Sequence, residues 1–510
     1  MGGMDGNDLA HGSGQARGAR VSAEVQATPV VQTSVGTVEG TVRDGVAQFL
    51  GIPYGSPPVG ELRFRPPEPA PPWGGIRSAT TYGPSSYPTL TDADREYFPN
   101  SRLWSVYAGY DASIPFHEDC LRLNVWTSAG GTSNRPVLVW LHGGGFSWGS
   151  GSSPLTTGDR LARDHGLVVV TVNHRLGVLG YLHVDGEDDS AIAGLLDLRL
   201  ALEWVRDNIA AFGGDPHNVT IAGHSGGASK VACLLALPAA RGLFQRAIIM
   251  SGVVTLRSMT LEEAQIQADA LWGKAGLPTG DIGALRRMPA AELCRVAGGL
   301  RFRPAVGEPG MPVHPFDDAA APSASGIPLL TGVAKDDAAT FKWDSDPSFA
   351  GIGEAELHRR VLGLPGVTGA VHARTLIDHA RAQRPGATSA RLLVDISTRG
   401  LRERTERMLE LKDAQSPAAI WDYEFAHDIV MPAETAFAGE PMAPHGAELP
   451  FMFDLPGHEW LVGAGPAREV LSRVMSGYWS NFVRTGDPNG AGLPPWDQWT
   501  AEIPRIQLLT

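Results

Sequence analysis

Cysteine is scarce in this chain of 510 residues, which contains only Cys120, Cys233 and Cys294. Three cysteines exclude a framework of several disulfides, and their spacing is not that of a zinc ligand pair. The simplest interpretation is a protein whose thiols stay reduced. Because reduced thiols are typical of the cell interior, we predict a cytoplasmic location.

Long apolar runs are missing as well. The longest, such as Pro136–Leu141 and Leu167–Val170, fall far short of the ~18 residues that a membrane helix needs. Residues 1–28 are rich in Gly, Asp, Ser and Ala and contain no apolar segment typical of a signal peptide. We therefore expect a disordered leader at 1–28. Residues 29–510 are expected to form a single domain, because no change in composition marks a linker.

The chain has fewer basic than acidic residues. Lys and Arg number 42 against 55 Asp and Glu, which gives a formal net charge of −13. Nucleic acids and anionic membranes attract positive surfaces, so this balance argues against either as a partner. Hydrophobic residues make up 43% of the chain, which is ordinary for a core-forming protein. We expect chemistry on a small molecule and predict no metal and no cofactor.

Apolar runs alternate with helical periodicity along the chain, and this order is typical of an α/β protein. The sequence predicts a large, mostly parallel central sheet flanked by helices, with antiparallel strands at the N-terminal end and helical insertions later. The predicted strands are Val35–Gly40, Val46–Leu50, Leu121–Trp126, Val137–Leu141, Val168–Asn173, Arg246–Ser251, Leu329–Val333 and Ala419–Phe425. The predicted helices are Leu195–Phe212 and the stretches near 261–275, 354–362, 370–382 and 466–484.

Asn218–Ser229 contains a Gly-x-Ser-x-Gly sequence that predicts a strand, a sharp turn and a helix. Ser225 at the turn is the candidate nucleophile. Gly223 and Gly227 flank it and have no Cβ to obstruct the approach of the strand to the helix. Alone, this short signature is weak evidence of an active site.

A serine hydroxyl needs a nearby base, and the base needs a carboxylate that fixes its tautomer. In α/β folds with this turn the chain order is serine, acid, histidine. Asp336 and Asp337 follow one predicted strand, and both His427 and His445 come after a later one. These residues fall in loops that follow strands, where α/β sheets place their functional groups.

Backbone donors for an oxyanion are predicted after another strand, in the run His142–Phe146, which contains three consecutive glycines. Glycines allow neighbouring N–H groups to converge on one oxygen. The N–H of Gly226, which follows the candidate nucleophile, would add a donor, and one such donor is typically worth ~3 kcal/mol. The two motifs in this order, each after a strand, form a strong signal of acyl transfer.

Together these motifs resemble the type-B carboxylesterases, the cholinesterase-like branch of the α/β hydrolases, from about Val30 to Thr510. The resemblance implies an α/β-hydrolase fold and hydrolysis of carboxylic esters through an acyl-enzyme. It implies Ser225 as nucleophile, Asp337 as acid, His445 as base, and Gly144, Gly145 and Gly226 as oxyanion donors. The motifs that carry it, besides the serine turn, are Phe49–Tyr54, Glu118–Val125, His142–Phe146, Val172–Gly177, Ala201–Val205, Phe212–Pro216 and Thr485–Asn489.

The chain departs from the family pattern at several positions. Asp337 stands where the family usually has Glu, so Asp336 stays an alternative acid. Ser86 stands where relatives have the partner of Cys120, which predicts a free thiol. His224 and Gly226 replace the usual Glu and Ala beside the serine.

The charge beside the serine therefore predicts neutral or anionic rather than cationic esters. His224 is a candidate substrate contact, with Lys230 and Arg301 as helpers. Alternatively, His224 only fills the Glu position and bonds a helix end.

Further residues are interpreted as structural or auxiliary. Arg63 with Glu118, and Arg175 with Asp197, are expected to be ion pairs of the scaffold. Ser251 is expected either to support the acid and base or to be a plain strand-end serine, and His142 to bond within its loop. Trp148, Phe341 and Trp343 are either pocket walls or simple packing.

Other functions use the same sequence features. The same catalytic parts could cleave an amide or a carbamate, and related folds serve as non-catalytic binding domains, although such domains usually lose the nucleophile or base. An interfacial lipase lacks support because no long amphipathic lid is evident. The expected partner is a small-molecule ester, and the chain is expected to be a monomer or a homodimer.

Overall fold

The structure is a computed structural model. The predicted leader lies outside the described residues apart from Thr28, as do Phe341 and Trp343. The described residues are 28–91, 113–130, 133–252, 256–339, 349–415, 418–431, 433, 435–455, 457–458, 462–463 and 465–510.

Ten of the described strands form one sheet, whose order is β17-β14-β13-β10-β9-β7-β8-β6-β4-β3. The strands from β17 to β8 run parallel, and β6, β4 and β3 are added as antiparallel neighbours. This confirms the predicted mostly parallel sheet with N-terminal antiparallel strands. The strands are β1 Val30–Gln32, β2 Thr37–Glu39, β3 Thr41–Arg43, β4 Val46–Pro53, β5 Ile76–Ser78, β6 Arg122–Ser128, β7 Arg135–Leu141, β8 Val168–Val172, β9 Gly214–His224, β10 Arg246–Met250, β11 Met259–Thr260, β12 Ala305–Val306, β13 Leu329–Ala334, β14 Ile420–Phe425, β15 Ile429–Val430, β16 Pro441–Met442 and β17 Gln507–Leu509.

Helices cover both faces of the sheet. The central strands β7, β8 and β13 are buried along their whole length, as expected for parallel strands covered on two sides. The described helices of four or more residues are α1 Asp159–His165, α2 Gly177–Tyr181, α3 Ala193–Asn208, α4 Gly226–Ala236, α5 Leu261–Ala275, α6 Ile282–Arg287, α7 Ala290–Val296, α8 Glu354–Leu362, α9 Ala370–Gln383, α10 Ser389–Gln415, α11 Leu449–Met452 and α12 Pro466–Thr485, with a 3₁₀ turn at Ile209–Phe212 after α3.

Side chains of neighbouring strand residues enter two different hydrophobic cores. Val170 and Ile221 belong to the core that also contains residues of α3 and α4. Val169 and Ala222 belong to the opposite core, which contains residues of α8 to α10 and α12. The alternation follows from the period of two in a strand. The sheet is thus the middle layer of three. Because the strands from β17 to β8 are parallel, their C-terminal ends lie along the same edge of the sheet.

The helix α10 is 27 residues long and is not among the individually predicted helices. Pairs of opposite charge three or four residues apart stabilise its exposed side. Arg399 with Glu403 and Arg407 with Glu410 are such pairs, while the buried Arg391 pairs with Asp395 near the start of the helix. This helix carries one wall of the cavity described below.

Candidate active site

Ser225 connects β9 to α4 in a strained backbone conformation, with φ 57° and ψ −119°. Positive φ is uncommon for residues other than glycine. A Cβ on Gly223 would lie 2.3 Å from the carbonyl carbon of Gly227, and a Cβ on Gly227 would lie 2.0 Å from the carbonyl oxygen of Leu141. The strand and the helix therefore touch through bare backbone, which requires glycine at both positions and forces the sharp turn.

Asp337 and His445 meet beside this turn. The Nδ1 atom of His445 lies 2.8 Å from Oδ1 of Asp337. Asp337 follows β13, and His445 lies between β16 and α11. Both line the same cavity as Ser225. The structure thus brings together the three residues that the sequence singled out.

The second carboxylate oxygen of Asp337 has its own donors. It accepts hydrogen bonds from the hydroxyl of Ser251 and from the backbone N–H of Ala334, the latter at 3.0 Å. Burial alone would raise the pKa of Asp337, but His445 and these donors hold it below its ordinary value. Asp337 is therefore an ionised, fixed acceptor, and Ser251 supports it.

Asp336 and His427 are engaged elsewhere. Asp336 forms a buried ion pair with Arg391 and accepts the backbone N–H of Ala443 at 2.9 Å. The ring of His427 packs against Phe451 with centroids 5.2 Å apart. Of the alternatives that the sequence left open, Asp337 and His445 are the two in mutual contact.

The glycine loop after β7 lies against the N-terminus of α4. Gly144 and Gly145 have φ of 90° and 61°, and both Gly145 and Gly226 line a cavity with Ser225. Behind the loop, Nζ of Lys230 donates to the carbonyl oxygen of His142 at 3.0 Å. Lys230 is fully buried and supports the loop from its inner side. This position argues against its predicted role as a helper in substrate binding. Burial lowers its pKa to about 7.

Alanine at position 226 would disturb this loop. An ideal Cβ there lies 2.2 Å from the backbone nitrogen of Gly145. We expect Gly226→Ala to lower kcat at least about tenfold, because displacing an oxyanion donor weakens transition-state binding. The control is Gly74→Ala, whose Cβ would meet nothing within 4 Å. Unchanged kcat in both variants, measured with a neutral 4-nitrophenyl ester, would mean that the loop adapts at no cost.

His224 lies behind the base. It is 4% exposed, and its ring packs on that of His445 with centroids 4.3 Å apart. Its Nε2 is 3.6 Å from a carboxylate oxygen of the buried Glu448. Burial, then the charge of Asp337, raises the pKa of Glu448 to about 7. This position argues against the predicted substrate contact of His224.

Ser225 lies where two cavities adjoin. The larger, of about 570 Å³, is lined by Asp337, His445 and residues of α9 and α10. The smaller, of about 370 Å³, is lined by the glycine loop and by 300–303. An ester whose carbonyl carbon lies at Ser225 can extend one half into each cavity. Arg301, predicted as a helper, lines the smaller one, and so does Arg303, which was not among the predicted residues.

The predicted scaffold pairs form. Arg63 binds Glu118 through two hydrogen bonds of 2.7 and 2.6 Å, and Arg175 binds Asp197 at 2.6 Å. Both pairs join distant segments of the chain.

Several auxiliary residues also take defined positions. Cys120 is a buried free thiol beside Ser86. The Nδ1 of His142 lies 2.8 Å from the carbonyl oxygen of Gly143. Trp148 lies against Gly144.

The described part of the chain contains no group of three or more His, Cys, Asp or Glu placed to hold a metal ion. No helix there combines the length and the apolar character that crossing a membrane requires.

Known proteins are similar to this chain over nearly its whole length. A family model described as the carboxylesterase family matches residues 27–508. This chain belongs to the carboxylesterase family. It is a carboxylic-ester hydrolase with an α/β-hydrolase fold, so the predicted fold, family and reaction are confirmed.

Relatives match the enzyme over most of its length. The para-nitrobenzyl esterase of Bacillus subtilis (strain 168) is 36% identical over 503 residues, covering 93% of this chain and 94% of the relative. The phenmedipham hydrolase of Pseudarthrobacter oxydans is 34% identical, with 94% of each chain covered. The crystal structure of carboxylesterase EST55 from Geobacillus stearothermophilus at pH 6.2 is 37% identical, with a TM-score of 0.79, covering 93% of this chain and 94% of that one.

Proposed function

We propose that the enzyme hydrolyses small carboxylic esters through an acyl-enzyme formed on Ser225, with His445 as general base and acid and Asp337 as the residue that orients it. The single observation that carries this proposal is the 2.8 Å contact between His445 and Asp337 in a cavity that both share with Ser225. A base held by a carboxylate next to a strained serine is the arrangement that serine acyl transfer needs.

In the first half of the reaction, Oγ of Ser225 forms a bond to the ester carbonyl carbon while its proton passes to His445. The carbonyl electron pair moves to oxygen, and the backbone N–H groups of Gly144, Gly145 and Gly226 stabilise the resulting oxyanion. The intermediate then expels the alcohol oxygen, which takes the proton from His445.

In the second half, His445 removes a proton from water as the water oxygen bonds to the acyl carbon. The second tetrahedral intermediate breaks its bond to Oγ of Ser225 and releases the carboxylic acid, while His445 returns the proton to Oγ. Asp337 stays ionised throughout and stabilises the imidazolium form of His445. The same steps apply to a carbamate or an amide carbonyl. Rates on an ester should therefore be compared with rates on the matching carbamate and amide.

Neutral or anionic substrates are favoured over cationic ones. The wall of the larger cavity carries Arg399, Arg404 and Arg407. Arg399 pairs with Glu403 and Arg407 with Glu410, and the other acid of the lining, Asp337, pairs with His445, which leaves Arg404 as the excess positive charge. A positive wall repels a cationic group and tolerates an uncharged or negative one.

The proposal extends to location and assembly. Buried free thiols at Cys120, Cys233 and Cys294 support a cytoplasmic location, which cell fractionation would test. We also propose a monomer or a homodimer formed through α12, on which Val470 is exposed. Light scattering on the purified protein would decide between these assemblies.

The pH profile of kcat/KM on a neutral 4-nitrophenyl ester tests the role of His445. Burial alone would lower its pKa, but the charge and hydrogen bond of Asp337 raise it above 6.5 overall. Since the neutral imidazole is the base, activity should fall as the pH drops through this raised pKa, with the acid limb above pH 6.5.

The carboxylate of Glu448 also raises the pKa of His445. We therefore expect Glu448→Gln to move the acid limb to lower pH. Glu502→Gln, at an exposed position, serves as the control and should leave the limb in place. A limb that stays fixed in Glu448→Gln, or that moves upward, would contradict the assignment of the limb to His445.

A further inference from the structure

The smaller cavity beside Ser225 has a charge of its own. Arg301 and Arg303 line it together with Leu300, Phe302 and residues of the glycine loop and of α4, and no acidic residue is among its lining. Phe302 is buried at 3% exposure, whereas Arg301 is exposed and Arg303 is half-buried. Both arginines are among the residues that line this cavity, so two positive side chains border the same space.

The segment that carries these arginines is anchored at both ends. The backbone N–H of Arg301 donates to the side chain of Gln267 on α5 at 3.0 Å. The backbone N–H of Met259 donates to the carbonyl oxygen of Pro304 at 3.2 Å, next to the pairing of β11 with β12. The two positive groups are thus held at the cavity by the fold.

Neither guanidinium has an ion pair or a side-chain hydrogen bond within the described ranges. The acid whose charge acts on Arg303 is Glu263, and its carboxylate accepts the backbone N–H of Thr260 at 2.9 Å in the cap of α5. Burial, and then the charge of Arg301, lowers the pKa of Arg303. A half-buried cation beside a like charge is unfavourable, and an anion between the two would remove that cost.

Proton transfer decides which half of the ester enters this cavity. The leaving alcohol oxygen must face His445, because His445 donates the proton that releases it. His445 lines the larger cavity. The alcohol half therefore extends into the larger cavity, and the acyl half extends into the smaller one beside Arg301 and Arg303.

We propose that the smaller cavity binds an anionic acyl chain, and that monoesters of short dicarboxylic acids are preferred substrates, their free carboxylate bound by Arg303 and Arg301. This inference rests on the proposed catalytic roles of Ser225 and His445. Planar guanidinium groups match a carboxylate through paired hydrogen bonds. The smaller cavity has a volume of about 370 Å³, and one water molecule in the liquid occupies ~30 Å³. The cavity therefore has room for a diacid chain of four to six carbons.

Two esters with the same five-carbon acyl chain test the proposal: mono-4-nitrophenyl glutarate, which ends in a carboxylate, and 4-nitrophenyl pentanoate, which ends in a methyl group. We expect kcat/KM to be about tenfold higher for the glutarate at low salt, and the preference to shrink as ionic strength rises. Arg303→Gln should lose about this factor on the glutarate ester while the pentanoate rate changes less than about threefold. Arg301→Gln should show the same pattern more weakly, because Arg301 is more exposed.

Arg257→Gln is the matched control, since it removes the same charge at an exposed residue that pairs with Asp317. It should leave the preference unchanged. 4-Carboxyphenyl pentanoate, which carries its carboxylate on the alcohol half, should be insensitive to Arg303→Gln. If Arg303→Gln does not fold, Arg303→Lys keeps the charge and should retain part of the preference.

Three results would overturn the proposal: equal or faster hydrolysis of the pentanoate by the wild type, equal losses on both acyl chains in folded Arg303→Gln, or sensitivity of the carboxyphenyl ester instead. Failure of the proposed function would look different. In that case, hydrolysis of the neutral pentanoate would itself be absent or would persist without Ser225.

Discussion

Replacing Ser225 by alanine is expected to lower kcat for a neutral 4-nitrophenyl ester by about five to six orders of magnitude, because no other group can form the acyl-enzyme. The fold should persist. The backbone N–H of Ser225 donates to the carbonyl oxygen of Met250 at 2.9 Å, and alanine keeps that bond. Steady-state kinetics and thermal unfolding of the same preparation would check both halves of this expectation.

Ser225→Gly separates catalysis from strain. Glycine accepts φ 57° without the penalty of a side chain, so this variant should be as inactive as the alanine variant yet more stable than the wild type by about 1 kcal/mol. Retained hydrolysis in either variant would contradict the assignment of Ser225 as nucleophile. If both variants lose activity because they unfold, the expectation that the fold persists without the serine hydroxyl is wrong.

Asparagine substitutions at the two adjacent acids should have opposite effects. Asp337→Asn is expected to lower kcat by about 10⁴, because an amide cannot hold His445 in the required tautomer or stabilise its charged form. Its stability should change less, since Ser251 and Ala334 can still donate to the amide oxygen.

Asp336→Asn should instead lower stability by about 2 kcal/mol and leave kcat within a few-fold, because it removes the more buried of the two carboxylates that pair with Arg391 and leaves only Asp395. The two variants are each other's control, since both remove one negative charge at neighbouring positions. Urea unfolding and kcat measured on both would decide. A large loss of kcat in Asp336→Asn, with Asp337→Asn active, would reverse the assignment of the acid.

The serine turn could be predicted because its requirements are local. Gly223 and Gly227 are needed by backbone contacts between adjacent elements, and such contacts leave a short signature. The choice between Asp336 and Asp337 is not local. It depends on Arg391, 55 residues away from Asp336, and nothing in the run of adjacent acids reveals that ion pair.

The neighbours of the nucleophile were harder to interpret. His224 precedes Ser225 in the chain, but the positive φ of Ser225 makes a sharp turn, and the His224 side chain lies against His445 and Glu448 instead of the cavity. Lys230 lies on α4, which begins at the serine turn, and its side chain reaches the glycine loop from inside the protein. Adjacency in sequence therefore does not indicate a shared direction in the fold.

Arg303 could have been found from the sequence, because it follows Arg301 by two residues with an apolar residue between them. That spacing puts both arginines on one side of an extended segment. The long helix α10 was harder to delimit, since its stability depends on charge pairs along its surface as well as on its buried residues. The cavity wall that α10 forms beside the active site therefore depends on the tertiary fold.

Mass spectrometry of the protein after reaction with an uncharged organophosphonate ester tests the central claim most directly. Such a reagent traps an activated serine as a stable covalent adduct. The account predicts one adduct per wild-type chain, located on the peptide that contains Ser225, and none on Ser225→Ala. An adduct on a different residue, or equal labelling of Ser225→Ala, would contradict it.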